Sequence, residues 1–190
     1  MTRSTTRLVA ASLMAALTAV CSQIQIPLPA VPLSLSLFAV HLSGALLGPL
    51  WGPVSQVVYV MLGLAGVPVF AGLRAGPPVL FGNTGGYLVG YILAAFATGQ
   101  AASRLPCRLP FLALGMAVGT LLCYTFGTAW FMALTHLSLS SSLGACVLPF
   151  LPGDAVKILL AASLALRLRA PLRRAGFPVP GADPAAAQSA

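Results

Sequence analysis

Acidic residues are almost absent from this 190-residue chain, which has only two, Asp154 and Asp183. Metal sites and acid–base catalysts usually combine carboxylates with histidines or cysteines at short, recognisable spacings. The two histidines and four cysteines show no such spacing, and the HExxH, GxSxG-triad and Walker motifs are missing. The sequence therefore gives no indication of an enzyme, and we expect no cofactor, no metal ion and no ATPase activity in this chain.

Charge of either sign is scarce. Only 6% of the residues are charged and 58% are hydrophobic, which leaves too little polar surface to cover a soluble globule. Apolar runs close to the ~20 residues that cross a ~30 Å hydrocarbon core recur along the chain. We predict an all-α integral membrane protein with a single membrane domain over residues 1–190 and six transmembrane helices, at about residues 8–26, 33–49, 52–70, 79–99, 111–135 and 152–170. Residues 171–190 are predicted to form a disordered cytoplasmic tail.

The basic residues indicate how these helices are oriented. Eight arginines lie before the first predicted span, between the fourth and fifth, or at and after the end of the sixth, and so share one side of the membrane: Arg3, Arg7, Arg104, Arg108, Arg167, Arg169, Arg173 and Arg174. Because basic loops remain inside, both termini are predicted to be cytoplasmic, in a multi-pass protein of the cell membrane surrounded by lipid. Basic residues that flank spans form no binding face, so no nucleic-acid partner is expected.

Asp154 and Lys157 stand three residues apart in the otherwise apolar run PFLPGDAVKILLAASLAL. An ionisable group at membrane depth costs at least ~2.5–3.5 kcal/mol on insertion scales, so it usually faces a bundle interior or a polar cavity. The i, i+3 spacing lets both side chains share one helix face, neutralise each other and still offer hydrogen bonds to a ligand. We predict a polar pocket here, fully satisfied only with ligand bound, on a helix that begins near Pro152.

Further polar residues are candidates for the walls of this pocket. The segment GNTGGYLVGY places Asn83, Tyr87 and Tyr91 at i, i+4 and i+8, which predicts one helix face with an amide and two phenols. These groups suit a polar heterocycle, although contacts with other helices explain them equally well. Gln56 is a further candidate. Two segments, IPLPAVPLS and AGLRAGPP, resist helix formation and are predicted outside, as lids or plain connectors, and the second carries Arg74.

Small residues recur every four positions on three predicted helices, which allows helix backbones to approach closely in lipid. Two strips are expected to be internal packing: Gly82, Gly86, Gly90, Ala94 and Thr98, and then Gly115, Gly119, Cys123 and Gly127. A third strip is equally compatible with internal packing and with docking of another subunit: Ala11, Ala15 and Ala19. His41 and the four cysteines are interpreted as structural groups, the cysteines as free thiols.

The chain resembles one known family in three ordered segments. It is similar to the BioY family, the biotin-binding S subunits of energy-coupling factor (ECF) transporters, in IPLPAVPLSLSLFAVHLSGALLGPLWGPVSQVVYVMLGLAGVPVFAG, GNTGGYLVGYILAA and PFLPGDAVKILLAA. The resemblance extends over about residues 8–166. It implies a six-helix S-component fold, an outward-opening biotin pocket, and biotin uptake energised by a transmembrane T subunit and two ATPase subunits.

The same resemblance implies roles for individual residues. The biotin contacts of the family carry over to Asn83, Asp154 and Lys157, and less closely to Tyr87 and Gln56. The T-subunit contact of S components resembles the strip Ala11, Ala15 and Ala19.

The chain departs from the family at one position that concerns the ligand carboxylate. Leu50 and Trp51 stand where the family often has a basic residue. We expect the carboxylate to meet Arg74 or backbone N–H groups instead, or to remain at the wet mouth of the pocket. The alternatives to biotin uptake as an S subunit are a stand-alone vitamin transporter, an S subunit for another small vitamin, and a small intramembrane enzyme.

Overall fold

The computed structural model describes residues 3–28, 31–106, 108–177 and 179–181. These residues form a helical bundle with one two-stranded antiparallel sheet. In chain order the elements are α1 (Arg3–Gln23), β1 (Gln25–Ile26), β2 (Leu33–Ser34), α2 (Ser36–Leu64), α3 (Pro77–Leu80), α4 (Gly85–Arg104), α5 (Leu109–Thr135), α6 (Leu139–Cys146) and α7 (Leu151–Arg174). The all-α prediction did not include the short β1–β2 hairpin, which forms in the proline-rich segment that resists helix formation.

Three described helices are long and apolar enough to cross a membrane: Ser4–Gln23, Ser36–Leu64 and Leu109–Thr135. The helices α6 and α7 are bent by 52° from each other and make a fourth crossing if the pair counts as one span. The chain is thus a mostly helical membrane protein. Helix α4 begins at Gly85 and not near residue 79 as predicted, because residues 81–84 form turns after the short α3.

Helix α2 folds back on itself at Gly48. This residue has φ 81° and ψ −173°, a conformation that glycine adopts without a Cβ clash. In a straight helix Gly44 and Gly52 would lie about 12 Å apart, whereas a Cβ added to Gly52 would lie 2.8 Å from the Gly44 Cα. The two halves, residues 36–47 and 49–64, therefore pack against each other in opposite directions. The predicted break between residues 49 and 52 is a sharp elbow at Gly48.

Helices α4 and α5 meet through the small residues that the sequence singles out. A Cβ added to Gly90 would lie 2.9 Å from the Cys123 Cα, and one added to Gly119 would lie 2.8 Å from the Ala94 carbonyl oxygen. Such distances leave no room for a side chain, so the two strips face each other inside the bundle. The prediction of internal packing is confirmed for these positions, except that Gly82 precedes α4.

His41 ties three helices together, as the sequence predicts for a histidine in mid-span. Its Nδ1 and Nε2 atoms lie 2.9 Å from the hydroxyl oxygens of Thr98 and Thr120, respectively. The Thr120 hydroxyl donates its one proton to the Met116 carbonyl, so it accepts from His41 Nε2–H, and Thr98 then donates to Nδ1. His41 is fully buried, and this network holds α2, α4 and α5 together without a charge.

Arg169 anchors the other end of α7. It is 4% exposed, and one of its terminal nitrogens donates to the carbonyl oxygens of Ala45 and Ala102, each at 3.1 Å. These carbonyls belong to the last turns of the first half of α2 and of α4, where helix ends favour a cation. Arg169 is therefore a buried structural contact as well as one of the basic residues that set the predicted orientation.

The alanine strip of α1 faces the inside of this chain, which corrects the docking prediction. Ala11 and Ala15 are 2% and 1% exposed, and Ala15 packs in a cluster with Tyr59 and other residues of α2. Ala19 is partly buried against the same cluster. The internal-packing alternative therefore describes Ala11, Ala15 and Ala19. The reason is that close backbone approach between α1 and α2 needs small residues as much as a subunit interface does.

Helix α7 begins where the sequence predicts. It starts at Leu151 with Pro152 in its first turn, and the preceding connection contains α6. Its other end contradicts the predicted disordered tail over residues 171–190, because α7 continues to Arg174. Beyond α7, described residues still pack against the bundle. Val179 is 5% exposed, and a Cβ added to Gly48 would lie 3.5 Å from the Pro180 Cβ. Residues 182–190, including Asp183, lie outside the described part, as does Cys107.

We predict that Gly90→Ala destabilises the bundle. The added methyl group would overlap the Cys123 backbone, and overpacking of this kind costs about 1–3 kcal/mol. The matched control is Gly144→Ala in α6, where an added Cβ meets nothing within 4 Å. Thermal unfolding in detergent should show a lower midpoint for Gly90→Ala and an unchanged or higher midpoint for the control. Equal midpoints would contradict the described α4–α5 packing.

Candidate functional site

The centre of the candidate site is the buried pair Asp154 and Lys157. They are 4% and 9% exposed, and Lys157 Nζ donates to Asp154 Oδ1 at 2.6 Å. The Tyr124 hydroxyl of α5 donates to Asp154 Oδ2 through a short hydrogen bond, and Lys157 also donates to the Ser34 carbonyl of β2 at 2.7 Å. The chain itself thus satisfies the pair in part, and full satisfaction only with a ligand stays a prediction.

Local sequence explains why the pair lies at this point of α7. Pro152 is favoured in the first turn of a helix because its missing N–H would be unpaired there in any case. Asp154 then lies in that first turn, where the positive end of the helix dipole stabilises a carboxylate. Lys157 follows one turn later on the same face, and its stem packs along the apolar interior. The helix end and the lysine both stabilise the ionised carboxylate.

The pair still has hydrogen-bonding capacity for a ligand. An ammonium group has three protons, of which Lys157 uses two on Asp154 and Ser34. Each oxygen of Asp154 has two lone pairs and accepts one hydrogen bond from the described residues. Within the described part of the chain, the pair therefore keeps one donor proton and further acceptor positions for a ligand.

Three cavities form a path from the surface to this pair. The inner cavity, about 40 Å³, is bounded by Asp154, Lys157 and Tyr124. The middle cavity is also about 40 Å³. It shares five wall residues with the inner cavity: Val31, Pro32, Ser34, Tyr87 and Tyr91. The outer cavity, about 500 Å³, adjoins the middle one at walls that both share: Pro32, Ala71, Arg74, Val79 and Thr84.

The inner and middle cavities are too small for a vitamin-sized ligand. Each holds only one or a few water molecules, whereas ligand pockets commonly enclose about 300–1,000 Å³. Val31 and Pro32, next to β2, lie against both cavities, and Ser34 is bonded to Lys157. The described conformation therefore leaves no room beside the pair for a ligand of that size.

The structure separates the residues that the sequence groups together. Tyr87 lines the inner and middle cavities, and its hydroxyl donates to the Cys146 carbonyl at 3.3 Å. Asn83 is exposed in the outer cavity and precedes α4, so it does not share a helix face with Tyr87. Arg74 lines the middle and outer cavities, and its Nε donates to the Ala71 carbonyl at 3.0 Å.

Gln56 lies away from the pair. It is fully buried between α1 and α2, where its amide nitrogen faces the hydroxyls of Thr18, Ser43 and Ser55 at 3.0–3.3 Å. Each of these hydroxyls donates to a carbonyl of its own helix and so accepts from the amide. Within the described chain Gln56 borders none of the three cavities. The structure assigns it to helix packing.

Sequence reasoning missed Tyr124 and the Ser34 carbonyl. Tyr124 lies in α5, thirty positions from Asp154, and nothing in its local sequence distinguishes it from an ordinary buried aromatic residue. Ser34 contributes a backbone atom, which no sequence motif reveals. One signal was available, because a buried carboxylate needs donors from other elements, and tyrosine is one of few side chains that donate without adding charge.

A fourth cavity lies at the opposite end of the bundle. It measures about 350 Å³ and lies beside the Gly48 elbow and the residues Phe177, Val179 and Pro180. Its lining is mostly apolar, and its polar side chains are Arg7, Trp51 and Ser103. Its described lining residues include no adjacent acceptor and donor comparable to Asp154 and Lys157. The candidate site is therefore at the β1–β2 end.

Comparisons with known proteins find relatives that cover most of the chain. The sequence matches the BioY family over residues 1–174. It is 38% identical over 163 residues to "Biotin transporter BioY" of Thermotoga maritima, covering 86% of this chain and 95% of that protein. It is 36% identical over 158 residues to "Probable biotin transporter BioY" of Pyrococcus horikoshii, covering 83% and 93%. These relatives are transporters by name, in agreement with the expectation that the chain is not an enzyme.

The fold resembles a crystal structure described as the S-component for biotin from an ECF-type ABC transporter. The two superpose with a TM-score of 0.79 at 26% identity, over 89% of this chain and 94% of the other. The sequence match covers most of the chain, and the helical fold agrees with it. The chain belongs to the BioY family.

Proposed function

We propose that this chain is the biotin-binding S component of an ECF transporter and serves biotin uptake across the cell membrane. The observation that carries the proposal is the buried acceptor–donor pair Asp154 and Lys157, bounded by a small cavity in an apolar bundle. The names of the relatives supply the ligand. A charged pair retained at membrane depth is otherwise difficult to explain, because two apolar residues would cost less.

The pair matches one edge of the biotin ring. A cyclic urea presents an N–H donor and a C=O acceptor side by side. Asp154 accepts from the N–H while the third proton of Lys157 is donated to the carbonyl. Both bonds involve a charged partner, and bonds of that kind are shorter and stronger than neutral ones. Tyr87 and Tyr91, which line the same cavity, offer aromatic surface to the rest of the bicyclic ring.

The order of the cavities matches the rest of the ligand. Apolar and aromatic residues, including Tyr59, Phe70 and Leu88, line the middle cavity, which suits an aliphatic tail. Arg74 borders the middle and outer cavities, where the carboxylate at the end of that tail would emerge. We assign Arg74 to the carboxylate and Asn83 to the outer entrance, and we leave Gln56 out of the site. The wet outer cavity remains as a supplementary place for the carboxylate.

The topology that we propose has six crossings: α1, the two halves of α2, α4, α5 and α7. The elbow at Gly48 supports two crossings within α2, and the arginine distribution favours cytoplasmic termini. The chain has no nucleotide-binding motif of its own, so energy for uptake would come from a T subunit and two ATPase subunits. A T subunit that docks on α1 would meet its exposed face, which includes Leu13, Ala16 and Val20.

Equilibrium binding of labelled biotin to the purified chain tests the function. Saturable binding is expected, and its absence under folded conditions would favour the S subunit of another vitamin. Uptake in cells that lack all other ECF subunits separates a subunit from a stand-alone carrier. We expect no uptake there, and uptake on restoring a T subunit with its ATPases.

We predict that Asp154→Asn lowers biotin affinity by roughly ten- to a hundredfold, because charge-assisted hydrogen bonds contribute about 1.5–3 kcal/mol. Lys157→Met should weaken binding too, and should lower expression because it leaves Asp154 unpaired. The double variant restores charge balance, so its expression should recover while its binding should not. Wild-type affinity of the double variant in a direct binding assay would make the pair a structural bridge only.

We predict that Arg74→Gln weakens biotin binding by roughly three- to thirtyfold, as expected for one charged hydrogen bond at an exposed position. Binding of the uncharged biotin methyl ester should change little, because it lacks the carboxylate that Arg74 is assigned to hold. The control variant is Arg108→Gln, at the opposite predicted side of the membrane. An equal loss for acid and ester would refute the assignment of Arg74.

We predict that a membrane-impermeant maleimide labels Arg74→Cys in intact cells and labels Arg104→Cys and Arg173→Cys only after permeabilisation. The reason is the arginine asymmetry, which places Arg74 alone outside. All variants would also carry Cys107→Ser, and this background without an added cysteine is the control. Labelling of position 104 from outside would overturn the six-crossing topology.

A further inference from the structure

The inner cavity is electrically balanced. Apart from Asp154 and Lys157, the described residues that line it are uncharged, and the basic residue Arg74 borders the middle cavity. The Tyr124 hydroxyl bonds the second carboxylate oxygen without adding a charge. A ligand group that enters this cavity therefore meets one negative and one positive group, 2.6 Å apart, inside apolar surroundings.

We infer that Asp154 and Lys157 together act as a charge filter that admits an electroneutral cyclic urea and rejects a cyclic guanidinium of the same shape. This inference rests on the proposed function and concerns the selectivity of the same site. A urea edge has one donor and one acceptor, which the carboxylate and the ammonium group complement. A guanidinium has donors only, so its N–H groups would face the protons of Lys157 and it would bring an unbalanced charge to membrane depth.

Lys157 is the specificity-determining residue in this filter. Without its charge, the cavity would be negative, and Asp154 would form a charge-assisted pair with a guanidinium. Without the charge of Asp154, the cavity would be positive and the guanidinium would be repelled further. The preference between the two ligand groups should therefore follow the net charge of residues 154 and 157, whatever the absolute affinity of each variant.

The test compares biotin with 2-iminobiotin, in which a guanidine replaces the urea and is a cation at neutral pH. For the wild-type chain at pH 7 we expect 2-iminobiotin to bind at least roughly a hundredfold more weakly than biotin. If only the neutral form enters, its apparent affinity relative to biotin should rise about tenfold for each pH unit, because the neutral fraction rises by that factor. Biotin measured at each pH is the control for changes in the protein.

A variant series varies the charge of the site. The ratio of 2-iminobiotin affinity to biotin affinity should increase by roughly a hundredfold or more in Lys157→Met, where the net charge is −1. It should stay within about tenfold of wild type in the neutral double variant Asp154→Asn with Lys157→Met, and fall in Asp154→Asn, where the net charge is +1. The control variant is Arg108→Gln, which removes a charge at a position that borders none of the three cavities and should leave the ratio unchanged.

The outcomes are distinguishable. If wild-type chain binds neither ligand, the proposed function fails. If it binds biotin, but 2-iminobiotin binds comparably at pH 7 or gains nothing relative to biotin as the pH rises, the charge filter is wrong and the proposed function stands. A ratio that does not differ between Lys157→Met and the double variant would also refute it. The wild-type pH series gives a decision even if a variant fails to fold.

Discussion

One buried ion pair sets the conditions that the surrounding structure has to meet. Asp154 and Lys157 are almost inaccessible in a chain with no other acidic residue before position 183. Removal of either partner would leave an unpaired charge in apolar surroundings, which typically costs several kcal/mol. Three elements therefore converge on the pair: α7 carries it, α5 supplies the Tyr124 hydroxyl and β2 supplies the Ser34 carbonyl. The same convergence encloses the cavities that lead to it.

The position of the pair depends on how α7 is held at both ends. At its start the pair bonds to α5 and β2, and near its end Arg169 bonds to Ala45 and Ala102, about 20 Å away along the helix axis. Between these anchors α7 packs through small residues, among them the fully buried Ala161 and Ala165. Polar contacts at the ends fix the height of the helix in the bundle, and close packing between them fixes its rotation.

The sequence predicted the features that depend on local chemistry. The start of α7, the buried pair, the interhelix role of His41 and the internal packing of the glycine strips follow from proline position, charge scarcity and residue size. It failed where the outcome depends on which surfaces meet. Small residues in a strip predict close packing but not the identity of the partner, so the strip of α1 was assigned to another subunit although α2 covers it. The side-chain amide of Gln56 could bind a polar ligand, and only the fold shows that it faces α1.

The hydrogen bonds that the pair already makes limit what a ligand can add. Because Lys157 bonds to Asp154 and Ser34, a ligand gains only the bonds to the remaining proton and lone pairs. Modest gains of this kind cannot discriminate by attraction alone. A mismatched ligand, however, pays the full cost of an unpaired donor or charge in the same apolar cavity. Discrimination at such a site comes mainly from the penalty for the wrong group, and a neutral ion pair is well suited to impose that penalty on ligands of either charge.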